Sequence, residues 1–398
     1  MSTRIKVNAF FPFCRVKITD QRVNNQLDQV LIKIEPNQRY LPVCSNCQQK
    51  VRLIHSYNVR LVRDIPIMQA KTVLKVYYRK VRCPICGNRV EDLGFVKHGE
   101  RLTERFKRFI ADLCQIMTIK DVADWLDLNW KTVKQIHKQY LKEQVGNLDL
   151  QGVRILAVDE ISIRKGHKYL TIVIDFETGR ILWTNKDRKT KSLGEFFSLL
   201  SEEEKKRIQA VAMDMWDPYI KAVKEYLPNA RIVFDQFHVV KEYSKVIDSI
   251  RISEFNAADK EHQKYFKGTK YLLLKNQENL REKDKQPLEK LLSINRNLSI
   301  SYILKDSLKQ LWGYCCQDNV RRRLLEWVDL AIDSGIKQLI KFAKKLLRYG
   351  YGIINHAIYP IHNSKLEGIN NKIKTVKRKA YGFSDMEYFE LLLKKITT

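Results

Sequence analysis

Three nearly continuous apolar runs in this chain each end in an aspartate: Ile155-Leu-Ala-Val-Asp159, Val211-Ala-Met-Asp214 and Ile232-Val-Phe-Asp235. Runs of this kind read as strands buried on both faces of a sheet. A carboxylate closing such a strand is costly unless something cationic meets it. Open α/β sheets gather their sites at strand ends, so Asp159 and Asp214 can converge on one metal site. Between the first two runs, Tyr169–Asp175, the turn Glu177-Thr-Gly179 and Arg180–Trp183 read as strand, hairpin and strand. Helical segments are expected at 190–208, 217–227 and 237–250. The sum is a mixed α/β sheet with helices on its faces. A plainer role is open for two acids. Asp235 can cap a helix beginning at Gln236, and Asp217 precedes a Pro-initiated helix. No helix follows Asp159, so capping explains it poorly.

Charge speaks to partners. Lys and Arg number 73 against 45 Asp and Glu, a net charge of +28 over 398 residues. A polyanion is the economical partner, because each neutralised phosphate releases counterions. No run approaches ~18 apolar residues, so a membrane span is not expected. The N-terminus lacks the order of a secretory signal. With Cys315 and Cys316 adjacent and Cys114 in an apolar helical pattern, the cysteines do not suggest a disulfide framework, and a reducing cytoplasm is expected.

Residues 1 to 95 read as strands and turns, with Gln29–Glu35 and Thr72–Val81 the clearest strands. Two Cys-x-x-Cys pairs lie here, Cys44/Cys47 and Cys83/Cys86. Each pair can grip one face of a tetrahedral ion, and together they can close a four-sulfur structural Zn²⁺ site; four unmetallated cysteines are the alternative. The gap of about 35 residues between them exceeds that of small zinc modules, and intervening strands can fill it. Gly87 favours a tight knuckle after the second pair, whereas Gln48 follows the first.

From Leu102 to Val145 the period is helical. Ile119–Tyr140 fits two short helices and a tight turn, with Val122, Ala123 and Leu126 inward on the first and Val133, Ile136 and Tyr140 inward on the second. Lys131, Gln135, Lys138 and Lys142 then share one side of the second helix, suited to a major groove. An ordinary helical hairpin with a solvated basic face fits the same pattern. The turn position usually held by Gly is Asp127.

Near the end, Asn363–Arg378 reads as an amphipathic helix with a stripe of Leu366, Ile369, Ile373 and Val376. Glu367, Asn371, Lys374 and Arg378 share another face, one acid followed by bases. That suits a metal ligand followed by phosphate contacts. Ser364-Lys-Leu-Glu367 also matches a capping box, in which Glu367 would serve its own helix start.

Taken with Arg63-Asp-Ile-Pro66, Arg79–Gly87, Val158-Asp-Glu160, Met213–Tyr219, Phe234-Asp-Gln-Phe-His238 and Asn363–Lys374, the chain resembles the L-three insertion-sequence family of DDE transposases over nearly its whole length. The resemblance implies a ribonuclease H-like mixed sheet with an all-α insertion, preceded by a small β-rich zinc ribbon and a helix-turn-helix. The implied division is 1–97 zinc ribbon, 98–147 helix-turn-helix, 148–252 first part of the catalytic core, 253–345 helical insertion and 346–398 last part of the core. Asp159, Asp214 and Glu367 become the catalytic triad holding Mg²⁺ or Mn²⁺, with Asp235 and His238 auxiliary. Lys374, Lys377, Arg378 and Lys379 become backbone clamps. Trp216 is expected to pack beside the second aspartate. The implied partners are the double-stranded element ends and target DNA, with no membrane, and a homodimer when two ends are held. The implied location is the bacterial cytoplasm, on the nucleoid. Two rivals stand beside this reading: a non-catalytic zinc-ribbon/helix-turn-helix regulator, and a nuclease that only hydrolyses.

Overall fold

The computed structural model describes residues 11–24, 26, 28–164, 168–186, 190–361, 363–379 and 384–397. They fall into two units, one ending at Gln144 and one beginning at Val145.

The first unit opens with β1 (Val16–Val23), β2 (Gln29–Pro36), β3 (Ile54–Ile67), β4 (Ala70–Cys83) and β5 (Gly87–Val90). The sheet runs β1-β2-β4-β3, with β5 also paired to β4. Alternation places Ile32, Ile34, Leu74 and Val76 on one face, buried with Val62, Phe11 and Phe95. Helices follow as α1 (Glu104–Ile116), α2 (Ile119–Leu126) and α3 (Trp130–Val145). Thr103 and Thr118 cap α1 and α2, their side chains accepting from the Phe106 and Asp121 amides.

The Arg63-Asp64 pair fastens β3 to this helical module. Arg63 donates to the Leu126 and Asp127 carbonyls at 2.7 and 2.8 Å, satisfying the open end of α2. Buried Asp64 accepts from Thr103 at 2.6 Å and from Arg105. Asp127, the residue where Gly was expected, adopts φ 48° and ψ 59°, with Lys71 bonded to its carboxylate at 2.6 Å.

In the second unit, β6 (Ile155–Arg164), β7 (Lys168–Asp175), β8 (Ile181–Asn185), β9 (Ala210–Met213) and β10 (Arg231–Phe234) form a sheet ordered β10-β9-β6-β7-β8. β6, β7 and β8 pair antiparallel, and β6, β9 and β10 pair parallel. This is the mixed sheet expected of a ribonuclease H-like core. Helices α4 (Thr190–Ser198), α5 (Glu202–Arg207), α6 (Asp217–Tyr226) and α7 (Gln236–Ala257) alternate with or follow the strands. An all-helical stretch continues as α8 (Lys260–Phe266), α9 (Lys270–Leu274), α10 (Glu282–Ile294), α11 (Arg296–Gln310), α12 (Gln317–Asp333) and α13 (Lys337–Ile354). The chain closes with α14 (Asn363–Lys379) and α15 (Met386–Lys395).

Two apolar layers sandwich the sheet. Val158, Val173, Val211 and Met213 pack with Phe196, Phe197 and Tyr219 on one face. Ala157, Ile172, Ile174 and Ala212 pack with Leu366, Ile369 and Ile373 of α14 on the other. The expected stripe of α14 is therefore the one that buries, with Val376 half-buried at its end. α13 lies tight on β10: a Cβ at Gly352 would come within 2.3 Å of the Phe234 ring. Positions 252 and 345 fall inside α7 and α13, so these helices run through the expected edges of the insertion.

Candidate active site

The four cysteine sulfurs of the first unit lie within 4.8 Å of one another. Backbone N–H groups of Cys86 and Ile85 face Cys83 and bring its thiol down to about 7. Cys47 receives the Gln49 amide, yet burial and sharing with the other thiols hold it up at about 12. Both knuckles turn left-handed after their second cysteine, at Gln48 (φ 58°) and Gly87 (φ 72°). Gln48 thus occupies the position a glycine fills in the matching half. Compact thiolates fed by knuckle amides fit tetrahedral zinc.

On α3, Lys131, Gln135 and Lys142 are exposed and Lys138 is partly buried. The inward side differs from the expected one. Val133, His137 and Leu141 are buried, whereas Ile136 and Tyr140 are only partly so. The register is i, i+4, i+8, and His137 went unnoticed because it is not apolar by type. Burial holds His137 down at about 4, so it packs as a neutral side chain.

The acids of the second unit meet at one edge of the sheet. Asp159 is not at a strand terminus, because β6 continues to Arg164 and pairs Asp159 with Ile172 of β7. Parallel pairing of β6 with β9 stops earlier, at Ala157, so Asp159 stands just beyond the end of β9. Asp214 directly follows β9, and Asp235 directly follows β10. All three lie at the carboxyl ends of the parallel strands, where crevices of open sheets form.

Each has a defined partner. Asp159 accepts from the Glu160 amide at 2.7 Å and from Asn370 Nδ2 at 2.8 Å. Asp214 Oδ1 lies 2.7 Å from His238 Nδ1. Asp235 does cap α7, its Oδ1 accepting from the Phe237 amide at 3.0 Å. Its Oδ2 is buried without a hydrogen bond, 4.0 Å from His238 Nε2. Burial raises the Asp235 carboxyl above its usual range, and the charges of Asp214 and Asp159 add to this against the Phe237 amide. Burial alone lowers His238, but the hydrogen bond and charge of Asp214, with Asp235 and Asp159 behind it, outweigh that and raise it.

Glu367 is exposed on α14, one helical turn before Asn370. Residues at i and i+3 share a face about 5–6 Å apart at Cβ, so Glu367 stands one turn from the residue that bonds Asp159. α14 starts at Asn363, and the side chain of Ser364, on which the capping-box alternative turns, lies outside the described residues. Among the described residues, no three of Asp159, Asp214, Asp235, His238 and Glu367 crowd as the sulfurs do. Mutual repulsion between carboxylates favours that wider spacing. Trp216 is 46 % exposed at the start of α6, not packed away beside Asp214. Asp217 lies within the first turn of α6 and binds Tyr349 at 2.7 Å.

The donor set suits a hard divalent cation. It is rich in carboxylate oxygen, which favours Mg²⁺ or Mn²⁺ over zinc. Two buried acceptors beside it, Asp235 Oδ2 and Asn370 Oδ1, lack any hydrogen-bond donor. A buried acceptor without a donor is destabilising unless a cation or water meets it.

Residues 156–393 match the ISL3 DDE family, described as "Transposase". The chain belongs to the ISL3 transposase family. Residues 91–141 match the "Helix-turn-helix domain of transposase family ISL3", and residues 41–86 match the "zinc-finger of transposase IS204/IS1001/IS1096/IS1165". The chain is 36 % identical over 367 residues to the transposase for insertion sequence element IS1001 of Bordetella parapertussis, covering 91 % of this chain and 90 % of that one. It is 25 % identical over 380 residues to the transposase for insertion sequence element IS1557 of Mycobacterium tuberculosis, covering 89 % of this chain and 85 % of that one. Within the ISL3 family framework, the zinc-finger match spans three of the four clustered cysteines fully in sequence and ends on the fourth, Cys86. Among the described residues, no helix is long and apolar enough to cross a membrane.

Proposed function

We propose that this ISL3 family member cuts the ends of its element and joins them to target DNA, using Asp159, Asp214 and Glu367 to hold Mg²⁺ or Mn²⁺. The observation that carries the reading is the hydrogen bond from α14 to Asp159, which ties the helix bearing Glu367 to the edge where Asp159, Asp214 and Asp235 end. A divalent cation bound there supplies charge neutralisation for the attacking and leaving oxygens of a phosphodiester.

The chain's own groups divide the remaining work. His238 Nδ1 fixes the orientation of Asp214, and Asp235, which caps α7, lies 4.0 Å from His238 Nε2 and acts on it by its charge. Lys374 lies seven residues after Glu367, about 10 Å further along the helix at 1.5 Å per residue. Lys374, Lys377, Arg378 and Lys379 then meet backbone phosphates flanking the reacting one. In the joining step, the freed 3′-OH of the element end forms a new bond to a target phosphorus, and the target's own 3′ oxygen leaves.

The domain roles follow the same reading. Residues 1–97 form the zinc ribbon and 98–147 the helix-turn-helix, with Lys131, Gln135, Lys138 and Lys142 facing the element end. Residues 148–252 and 346–398 form the core around the insertion at 253–345. Two chains pair when two ends are held, inside the bacterial cytoplasm.

The test is a joining assay. A labelled element-end duplex with a 3′-OH, a supercoiled target plasmid and Mn²⁺ should yield covalent end–plasmid products. Nicked plasmid without joined label would mark a nuclease that only hydrolyses. Binding without either product would mark a non-catalytic regulator.

A further inference from the structure

Asn370 is not among the residues that the sequence pattern assigns to a face of α14, yet it makes a polar contact between α14 and the sheet at Asp159. Its carboxamide has two ends with different fates. Nδ2 donates to Asp159 Oδ2 at 2.8 Å. Oδ1 is buried and has no hydrogen-bond partner. The orientation is forced, because an ionised carboxylate only accepts and Oδ1 turned towards Asp159 would set acceptor against acceptor. Both atoms share one carbon, so Oδ1 stays close to the carboxylate that Nδ2 holds. Asp235 Oδ2 is a second buried oxygen without a donor in the same neighbourhood, where the Asp159 charge acts on Asp235.

A water could donate to either oxygen, but the negative charge of Asp159, Asp214 and Asp235 gathered here favours a cation. A neutral carbonyl oxygen beside carboxylates is a regular ligand for hard divalent cations. We propose that Asn370 is a further ligand of the cation site, its Oδ1 coordinating the ion while its Nδ2 holds Asp159 in the coordinating orientation. This rests on the cation site proposed above. It also gives α14 a reason to be clamped at Asn370: the residue one turn before it is Glu367, so the amide sets the depth at which that carboxylate meets the ion.

The test is direct binding of Mn²⁺ to the full-length chain, followed by calorimetry or by the loss of free-ion resonance signal, with no DNA present. Four proteins are compared: wild type, Asp159→Asn, Asn370→Ala and Asn370→Asp. Melting curves without added Mn²⁺ check that the variants are folded. Wild type is expected to bind Mn²⁺ at a site that Asp159→Asn abolishes. Asn370→Ala should weaken that site by about 10–100-fold, the range for losing a group that orients or completes a metal ligand set. Asn370→Asp restores an oxygen ligand and should recover binding to within a few-fold of wild type. Ala binding within twofold of wild type, or Asp binding as weak as Ala, overturns the role of Asn370 alone. Wild type without a site sensitive to Asp159 overturns the cation site itself, and Asn370's place in it.

Discussion

His238 Nδ1 and Asp214 Oδ1 stand 2.7 Å apart, so the imidazole holds one carboxylate of the site by a directed hydrogen bond. Its other nitrogen points to Asp235, which is itself anchored at the start of α7. Asp214 is therefore oriented by a histidine held by a hydrogen bond at Nδ1, with its Nε2 4.0 Å from Asp235. Replacing His238 with Ala should lower single-turnover end cleavage by about 10–100-fold, the usual scale for losing such an orienting partner. His238→Asn keeps a donor near the Nδ1 position and should retain more activity than Ala. Equal activities for the two variants would show that the hydrogen bond is not what matters.

The zinc ribbon predicts its own metal content. The purified chain should carry a single zinc by elemental analysis, held by four sulfurs. Cys83→Ser should lose it and unfold the ribbon, read as new proteolytic cuts before residue 90. The second unit has its own sheet and apolar layers, and its melting should change little.

Gln48 bears a left-handed backbone that its counterpart Gly87 adopts freely. A side chain in this region costs about 1 kcal/mol. Gln48→Gly should therefore raise the stability of the ribbon by up to about 1 kcal/mol, measured by denaturant unfolding of the zinc-loaded chain. A loss of stability would mean that the Gln48 side chain contributes more than its backbone strain costs.

Gly352 tests the packing behind the site. A methyl there collides with Phe234, the residue immediately before Asp235. Overpacking of this kind typically costs about 1–3 kcal/mol. Gly352→Ala should lower the melting temperature of the second unit and reduce cleavage, since either α13 or the end of β10 must shift. A Phe234→Leu change made with it should recover part of both.

The legibility of this fold in its sequence was uneven for physical reasons. The apolar runs at β6, β9 and β10 are buried on both faces, and that double burial leaves a pattern any reading can follow. The stripe of α14 was equally plain, because one helix face packs on one sheet face. Asp159 was harder to place. The apolar run ends there, but β6 continues through Glu160 and beyond because β7 still pairs with it after β9 has ended. His137 was missed since a buried neutral imidazole looks polar on paper. The edges of the insertion were illegible because α7 and α13 carry their helical period straight through them. Asn370 left no periodic signal at all. Its meaning depends on Asp159, 211 residues away, and on an oxygen whose lack of a donor arises only in the folded chain. The Arg63 anchor on α2 spans 63 residues and was visible in sequence only as a piece of the family resemblance.

We propose that an acid from α14 works at the same site as acids from β6 and the end of β9. Single-turnover cleavage of an element-end duplex in Mg²⁺ tests it most directly, comparing wild type with Asp159→Asn, Asp214→Asn and Glu367→Gln. Glu203→Gln, on exposed α5, serves as the control. Loss of several kcal/mol of charge stabilisation predicts a drop of about a thousandfold for each of the three, with end binding unchanged and the control unaffected. Cleavage by Glu367→Gln at the rate of the control would contradict the account.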